Sequence, residues 1–468
     1  MFSKLLSAFS RNKSDAEPAP VPAAAAVPQA APAVPAAAPG PALVQPAAGA
    51  SRKGQTFVHR EPIVSRKQRV VAYEFTPLPK GVARQEKRTA IAQRSLQDTL
   101  FRALAEASGE GGVLGQRLAF VPVSPQGLDS PYLERLPRQN TVLMLSLPLT
   151  ADADSLPSAA TLVKLRQEGF QLGMYVPPDK APLAALRPHL DFVAVDVAAF
   201  DGERLRNLPY ALKTVDGHSL RVIADNIQTA DELALCYQRG FDLFQGPAVS
   251  TKEAWAPAKG ASSRMRVVQL LNLVRNEADN KELATTLKQD PLLSFRILRY
   301  INSPGIGLAT PVTSIEHALV VLGYGRFYRW LSLLLFSPQG SNFGEWLLVE
   351  LALTRGRLME LLGASRFPKA EHDALFLCGS FSLLDRLLQQ PLAEAIGQLT
   401  LPAPVKQALL ERQGPYASLL EVAEACESLD GERIEAATAR AGLEAEPTNR
   451  ALLAAMAWAH EVSEVGTD

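Results

Sequence analysis

His372 and Asp373 stand side by side, and an imidazole next to a carboxylate is a pairing that can hold a divalent cation. The other histidines, His59, His189, His218, His317 and His460, show no ligand spacing. Glu371 and Asp373 together suit the positive end of a helix opening at this point, so His372 reads as a capping or surface residue. Cys236, Cys378 and Cys426 are odd in number and far apart, which supports neither a disulfide framework nor a zinc cluster. Gly323-Tyr-Gly325 is a lone glycine pair, better suited to closing a helix than to cradling a phosphate. Arg326, Arg329 and Trp330 beside Tyr324, Phe327 and Tyr328 have the composition that stacks on bases. The reading adopted is one amphipathic helix with its aromatics packed and its arginines solvated.

Charge narrows the classes. Lys plus Arg and Asp plus Glu both number 48, so the net charge is zero. A neutral chain has no global field to hold a polyanion, and no nucleic-acid partner is expected. The balance is uneven, because residues 1–70 hold nine basic and three acidic side chains. At 468 residues the chain is about three times the ~150-residue domain prior. No apolar run approaches the ~18–20 residues of a spanning helix; the longest candidate, Trp330 to Phe336, is broken by Ser332. A cytoplasmic, multidomain protein is expected.

The elements that must position any chemistry fall into three stretches. Residues 1–55 open with Met1, Phe2, Leu5, Leu6 and Phe9 at helical spacing among basic residues, a frayed tail or a weak membrane-surface contact. Fifteen Ala and nine Pro then take twenty-four of the thirty-four positions from Glu17 to Ala50, which cannot build a core and predict a disordered tether. Over residues 56–258, apolar runs alternate with helical patterns. The runs are 70–75, 118–123, 141–147, 171–176, 192–197, 221–224 and 241–244, with helices such as 84–106 and 158–169 between them. Thr229 and Glu232 have capping-box spacing, and Gly240 ends that helix. The alternation predicts a parallel sheet closed into an α/β, TIM-like barrel. Residues 262–468 carry helical periodicity alone. Ser262 or Ser263 caps the first helix, Asp290-Pro291 opens another, and Ser314 to Leu322 forms a third that stops at Gly323.

The stretch Arg60-Glu-Pro-Ile-Val-Ser-Arg-Lys-Gln-Arg-Val-Val-Ala-Tyr-Glu74 resembles the first strand of an EAL domain, the barrel that hydrolyses cyclic di-GMP. Asp191-Phe-Val-Ala-Val-Asp196, Val222-Ile-Ala-Asp-Asn-Ile-Gln-Thr229 and Gly240-Phe-Asp-Leu-Phe-Gln-Gly246 follow in the same order. Asp290-Pro-Leu-Leu-Ser294, Arg299-Tyr-Ile-Asn-Ser303, Ser314-Ile-Glu-His-Ala-Leu319 and Phe376 to Asp385 resemble an HDOD domain, a helical interaction module. The resemblance covers about Phe57 to Glu464 and implies a bacterial EAL–HDOD signal-transduction protein.

Hydrolysing a phosphodiester this way takes two divalent cations held by several carboxylates, with a lysine to help position water. The resemblance places the first-strand acid at Glu74, later site residues at Asp196 and Gln245, and a shortened acid at Asp225. Other expected groups are absent. Leu78 stands for a phosphate-holding arginine, Tyr175 and Val176 for paired aspartates, Ala194 for the lysine, and Gln228 for a glutamate. The strand at Thr141–Leu147 offers no asparagine. The HD-type metal pair would fall on Ser382-Leu383, and the HDOD family lacks that site. No catalytic residue, metal or cofactor is therefore expected, and Glu74, Asp196, Asp225 and Gln245 are possible remnants of a ligand site. A plain structural reading pairs Glu74 with an arginine, satisfies Asp196 with backbone donors and ties Gln245 to a loop. The resulting expectation is a pseudoenzyme that binds a signalling partner through its HDOD domain. Cyclic di-GMP bound without hydrolysis, or residual phosphodiesterase activity, are the alternatives.

Overall fold

The computed structural model describes residues 57–67, 69–78, 90–108, 113–114, 117–147, 156–176, 186–200, 202–213, 220–250, 261–302, 311–336, 343–428 and 430–465. The Ala/Pro tether and the first thirteen residues lie outside them, as does the loop after Asn302.

Eight strands close into a barrel in chain order: β1 Phe57–Ser65, β2 Val70–Leu78, β3 Leu118–Val123, β4 Thr141–Leu145, β5 Gln171–Tyr175, β6 Phe192–Asp196, β7 Arg221–Asp225 and β8 Leu243–Phe244. Strands β2 to β8 pair in parallel, and β1 runs antiparallel to both β2 and β8. The fully parallel sheet read from the sequence is corrected by β1. Arg60, Glu61 and Pro62 break its apolar run, yet pairing on both edges supplies the hydrogen bonds that make it a strand. The barrel interior is filled. Phe120 and Phe192 meet edge to face at 4.9 Å, with Ile63, Ala72, Val142, Met144, Ala194, Ile223 and Leu243 around them.

Around the barrel lie α1 Ala90–Ala107, α2 Ala159–Gln167, α3 Gly202–Lys213 and α4 Ala230–Gln238. The capping box at the start of α4 is present as its spacing predicts. The helical region holds α5 Ala261–Arg275, α6 Asn280–Lys288, α7 Pro291–Ile301, α8 Ile315–Leu335, α9 Phe343–Gly363, α10 His372–Phe381, α11 Ala417–Ala425, α12 Gly431–Arg440 and α13 Ala445–Val465, with shorter helical turns between. Ser262 and Ser263 fall inside the first turn of α5 and do not precede it. Asp290 accepts from the Leu293 amide at 3.0 Å and Ser314 from that of His317 at 3.2 Å, both as capping requires.

Gly323, at φ 73°, breaks the helical path inside α8, and the chain turns helical again directly after it. By length and hydropathy α8 would suffice to cross a membrane, but half of that stretch is buried within the fold, as in a core helix. Phe327 and Trp330 pack inside as read from the sequence, whereas Tyr324 is exposed. Arg329 does not remain solvated: it bonds both oxygens of Glu360 at 3.2 Å and also pairs with Asp373.

Candidate functional site

The C-terminal ends of parallel barrel strands converge on one mouth, where alternation along each strand decides which side chains face inward. Ala72 and Glu74, Ile223 and Asp225, and Leu243 and Gln245 follow this pattern, with the apolar member filling the barrel and the polar one standing above it. Glu61, Glu74, Asp196, Asp225, Asn226 and Gln245 line a cavity of about 410 Å³ together with Thr76, Gly246 and Pro247. All four possible remnant residues named from the sequence therefore meet at one place.

Their bonding departs from the plain structural reading at Glu74. Among the described residues no arginine pairs with Glu74; one oxygen accepts from the Tyr175 hydroxyl and the other from the Gln245 amide. The Gln245 side chain also reaches Glu61 at 3.2 Å and so bridges two acids, while its carbonyl accepts from the Ile227 amide of the loop after β7 at 3.1 Å. Asp196 behaves as read, accepting from the Ala198 amide at 3.0 Å, and additionally from the Asn226 side chain at 2.9 Å. Asn226 takes a left-handed conformation, φ 60°, which asparagine tolerates better than most residues. That turn brings its amide to Asp225 at 2.7 Å. Val176 is buried beside Tyr175, and Ala194 lies one layer below Asp196 inside the barrel. The Leu78 side chain lies outside the described residues.

Burial governs the electrostatics. It raises Glu74 above the usual carboxylate range, with Glu61 adding repulsion and the bonds from Tyr175 and Gln245 opposing it. Glu61 is raised by burial as well. Asp225 is pushed up to about 7, first by burial and then by the charge of Glu74. Burial and the neighbouring Glu74 hold the Tyr175 phenol protonated, which keeps it a donor. A carboxyl near 7 has the acidity that proton transfer calls for. Among the described lining residues, however, there is no Lys, Arg or His to meet an anion. No three His, Cys, Asp or Glu residues among those described converge as a metal-binding group.

Sequence reasoning missed Glu61 and Asn226. Glu61 lies directly across from Glu74 in the β1–β2 register. A hairpin centred between Lys67 and Gln68 would have predicted that pairing, but the charged residues of β1 concealed the strand. Asn226 follows the last residue of β7, a position from which a turn readily aims a side chain across the mouth.

Elsewhere, His372 bonds the Phe367 carbonyl at 3.2 Å, while its neighbour Asp373 pairs with Arg329. The pair does not act as a unit. Ser382, where the resemblance places a metal-binding residue, instead accepts from Arg355 at 2.7 Å. Arg355 is buried and also bonds Glu427 through two nitrogens. Burial pushes the thiols of Cys378 and Cys426 up to about 12 and that of Cys236 to about 11, so none is primed as a nucleophile.

Comparison with known proteins agrees with this division. The HDOD domain family matches residues 261–336. Over 419 residues, 88% of its length, the chain is 26% identical to the cyclic di-GMP phosphodiesterase CdgJ of Vibrio cholerae, covering 94% of that protein. It is also 26% identical to the Bacillus subtilis protein YuxH across 419 residues, covering 99% of it. A solved EAL domain of Xanthomonas citri FimX, in complex with cyclic di-GMP, superposes on 42% of this chain and 87% of its own, at 14% identity and a TM-score of 0.32. The chain is an eight-stranded barrel followed by a helical region, and the HDOD family model matches the first part of that helical region.

Proposed function

We propose that the chain is a catalytically silent EAL–HDOD protein that works in bacterial signal transduction by binding another protein. The observation that carries this reading is the Tyr175 hydroxyl on Glu74. With the Gln245 amide on the second oxygen, each oxygen from which Glu74 would ligate a cation is already engaged by one of the chain's own donors. A phenol and the isopropyl group of Val176 supply none of the charge that two aspartates would bring to a divalent ion. Without metals, no cation among the described lining residues meets the phosphates of an incoming nucleotide. In this reading Glu74, Asp196, Asp225 and Gln245 are remnants with a structural role. Residues 56–258 form the silent barrel, 262–468 the interaction module and 1–55 a tether, and the protein acts in the cytoplasm.

Surface then carries the function, and the HDOD half is where a signalling partner binds. Deleting residues 264–468 abolishes the cellular phenotype, while Glu74→Ala combined with Gln245→Ala in the full-length protein leaves it near wild type. A double mutant that loses the phenotype at normal abundance overturns the proposal.

A second reading is supported by the cyclic di-GMP phosphodiesterase among the relatives, whose similarity spans nearly the whole chain. Here the barrel binds cyclic di-GMP and repositions the HDOD domain. Calorimetric titration of the purified protein with cyclic di-GMP separates the two: no heat of binding favours the first, and saturable heat lost in Glu74→Ala favours the second.

A further inference from the structure

We infer that strand β2 is a two-sided relay, tying the bonding state of the barrel mouth to the central helix of the HDOD-containing region through adjacent residues Glu74 and Tyr73. Successive side chains on a strand point to opposite faces. Glu74 faces the mouth and holds Tyr175 and Gln245. Tyr73 faces outward, is 7% exposed, and donates its hydroxyl to Glu350 on α9 at 2.6 Å. The same Glu350 oxygen accepts from Arg117, whose guanidinium lies 5.8 Å from the Tyr73 ring. Burial works against the Glu350 charge, but the charge and hydrogen bonds of Arg117 and the Tyr73 hydroxyl hold its carboxyl below the usual range.

The seam around this contact is built to transmit a shift. One turn before Glu350, Trp346 lies 5.1 Å from the Arg69 guanidinium of the barrel. The Val58 amide of β1 donates to Asn449 of α13 at 3.2 Å. On the far side, α9 crosses α10 so closely that a Cβ on Gly356 would come within 2.8 Å of the Phe376 carbonyl oxygen. A displacement of α9 is therefore carried into α10 as a body. Residues 73 and 74 share a peptide plane, so a rotation of β2 that releases Glu74 from Tyr175 also re-aims the Tyr73 hydroxyl. An O–H···O bond of 2.6 Å is directional and weakens steeply off axis. By linkage the coupling runs both ways, and a partner that moves α9 alters the mouth. The relay holds whether or not the mouth takes a nucleotide, so it stands apart from the proposed function.

Lying between two sites does not itself establish coupling; non-additivity does. Hydrogen exchange of peptides covering residues 343–363 in the full-length protein provides the readout. Tyr175→Phe cuts Glu74 loose on the mouth side and raises exchange in α9 about threefold or more, and Gln245→Leu, which frees the other oxygen, does the same. In a Tyr73→Phe background each effect falls below about twofold, the margin expected of independent sites. Asp196→Asn, at the mouth but not bonded to Glu74, leaves α9 exchange unchanged. Should one mouth variant fail to fold, the other carries the test. Unchanged α9 exchange in a folded mouth variant, or an effect that persists undiminished with Tyr73→Phe, overturns the relay.

Discussion

Gly379→Ala and Gly397→Ala are the same chemical change with opposite expected signs. At Gly379, on α10, an added Cβ would stand 2.5 Å from the Arg355 carbonyl oxygen and 2.7 Å from the Gly356 nitrogen, both backbone atoms of α9. Ordinary contact begins near 3.4 Å, so the helices must part by up to about 0.9 Å. A gap of that size forfeits roughly a quarter to a half of each dispersion contact along the crossing. Overpacking of this kind costs about 1–3 kcal/mol, and rigid backbone on both sides puts Gly379 at the upper end. The helix-propensity gain of alanine, about 1 kcal/mol, offsets only part of that. At Gly397 nothing lies within 4 Å and φ is not positive, so alanine there gains about 0.4–1 kcal/mol. With about 2–4 °C per kcal/mol for a unit of this size, Gly379→Ala lowers the melting midpoint of the helical region by about 4–8 °C. Gly397→Ala raises it by about 1–4 °C. Differential scanning calorimetry resolves the transition. A Gly379→Ala midpoint at or above wild type refutes the close-crossing argument.

Removing Arg355 takes away a buried guanidinium that bonds Glu427 through two nitrogens, and Arg355→Met is expected to cost about 3–5 kcal/mol in urea unfolding. Adding Glu427→Leu recovers a large part of that loss. Asp225 is pushed up to about 7 in the folded state against an ordinary value near 4, so the native protein binds the extra proton between those limits. Stability therefore falls as pH rises from about 4 to 7, and Asp225→Asn flattens that decline; melting midpoints of the two proteins at pH 5 and pH 8 measure the difference.

How much of this was legible depends on the range of each interaction. The α4 capping box is local, spanning Thr229 to Glu232, and spacing alone revealed it. Gly323 likewise announced the break in α8, because a positive φ favours glycine. Strand β1 was missed because its identity comes from partners on both edges, which outweigh a charged interruption in the run. Arg329 was misjudged for a related reason. Its partners Glu360 and Asp373 lie 31 and 44 residues away, and periodicity within one helix cannot see them. The gathering of Glu74, Asp196, Asp225 and Gln245 followed from strand ends meeting at one mouth, whereas the bond from Tyr175 to Glu74 spans 101 residues and depends on barrel closure. The Tyr73–Glu350 contact spans 277 residues and belongs to domain packing, so the domain seam became visible only in three dimensions.

Turnover of cyclic di-GMP by the purified full-length protein with Mn²⁺ tests the central claim most directly. The expected result is no linear dinucleotide above a buffer control, because Tyr175 and Gln245 engage both oxygens of Glu74 and Tyr175 and Val176 stand where paired aspartates would be needed. Sustained production of linear dinucleotide that vanishes in Glu74→Ala would contradict it.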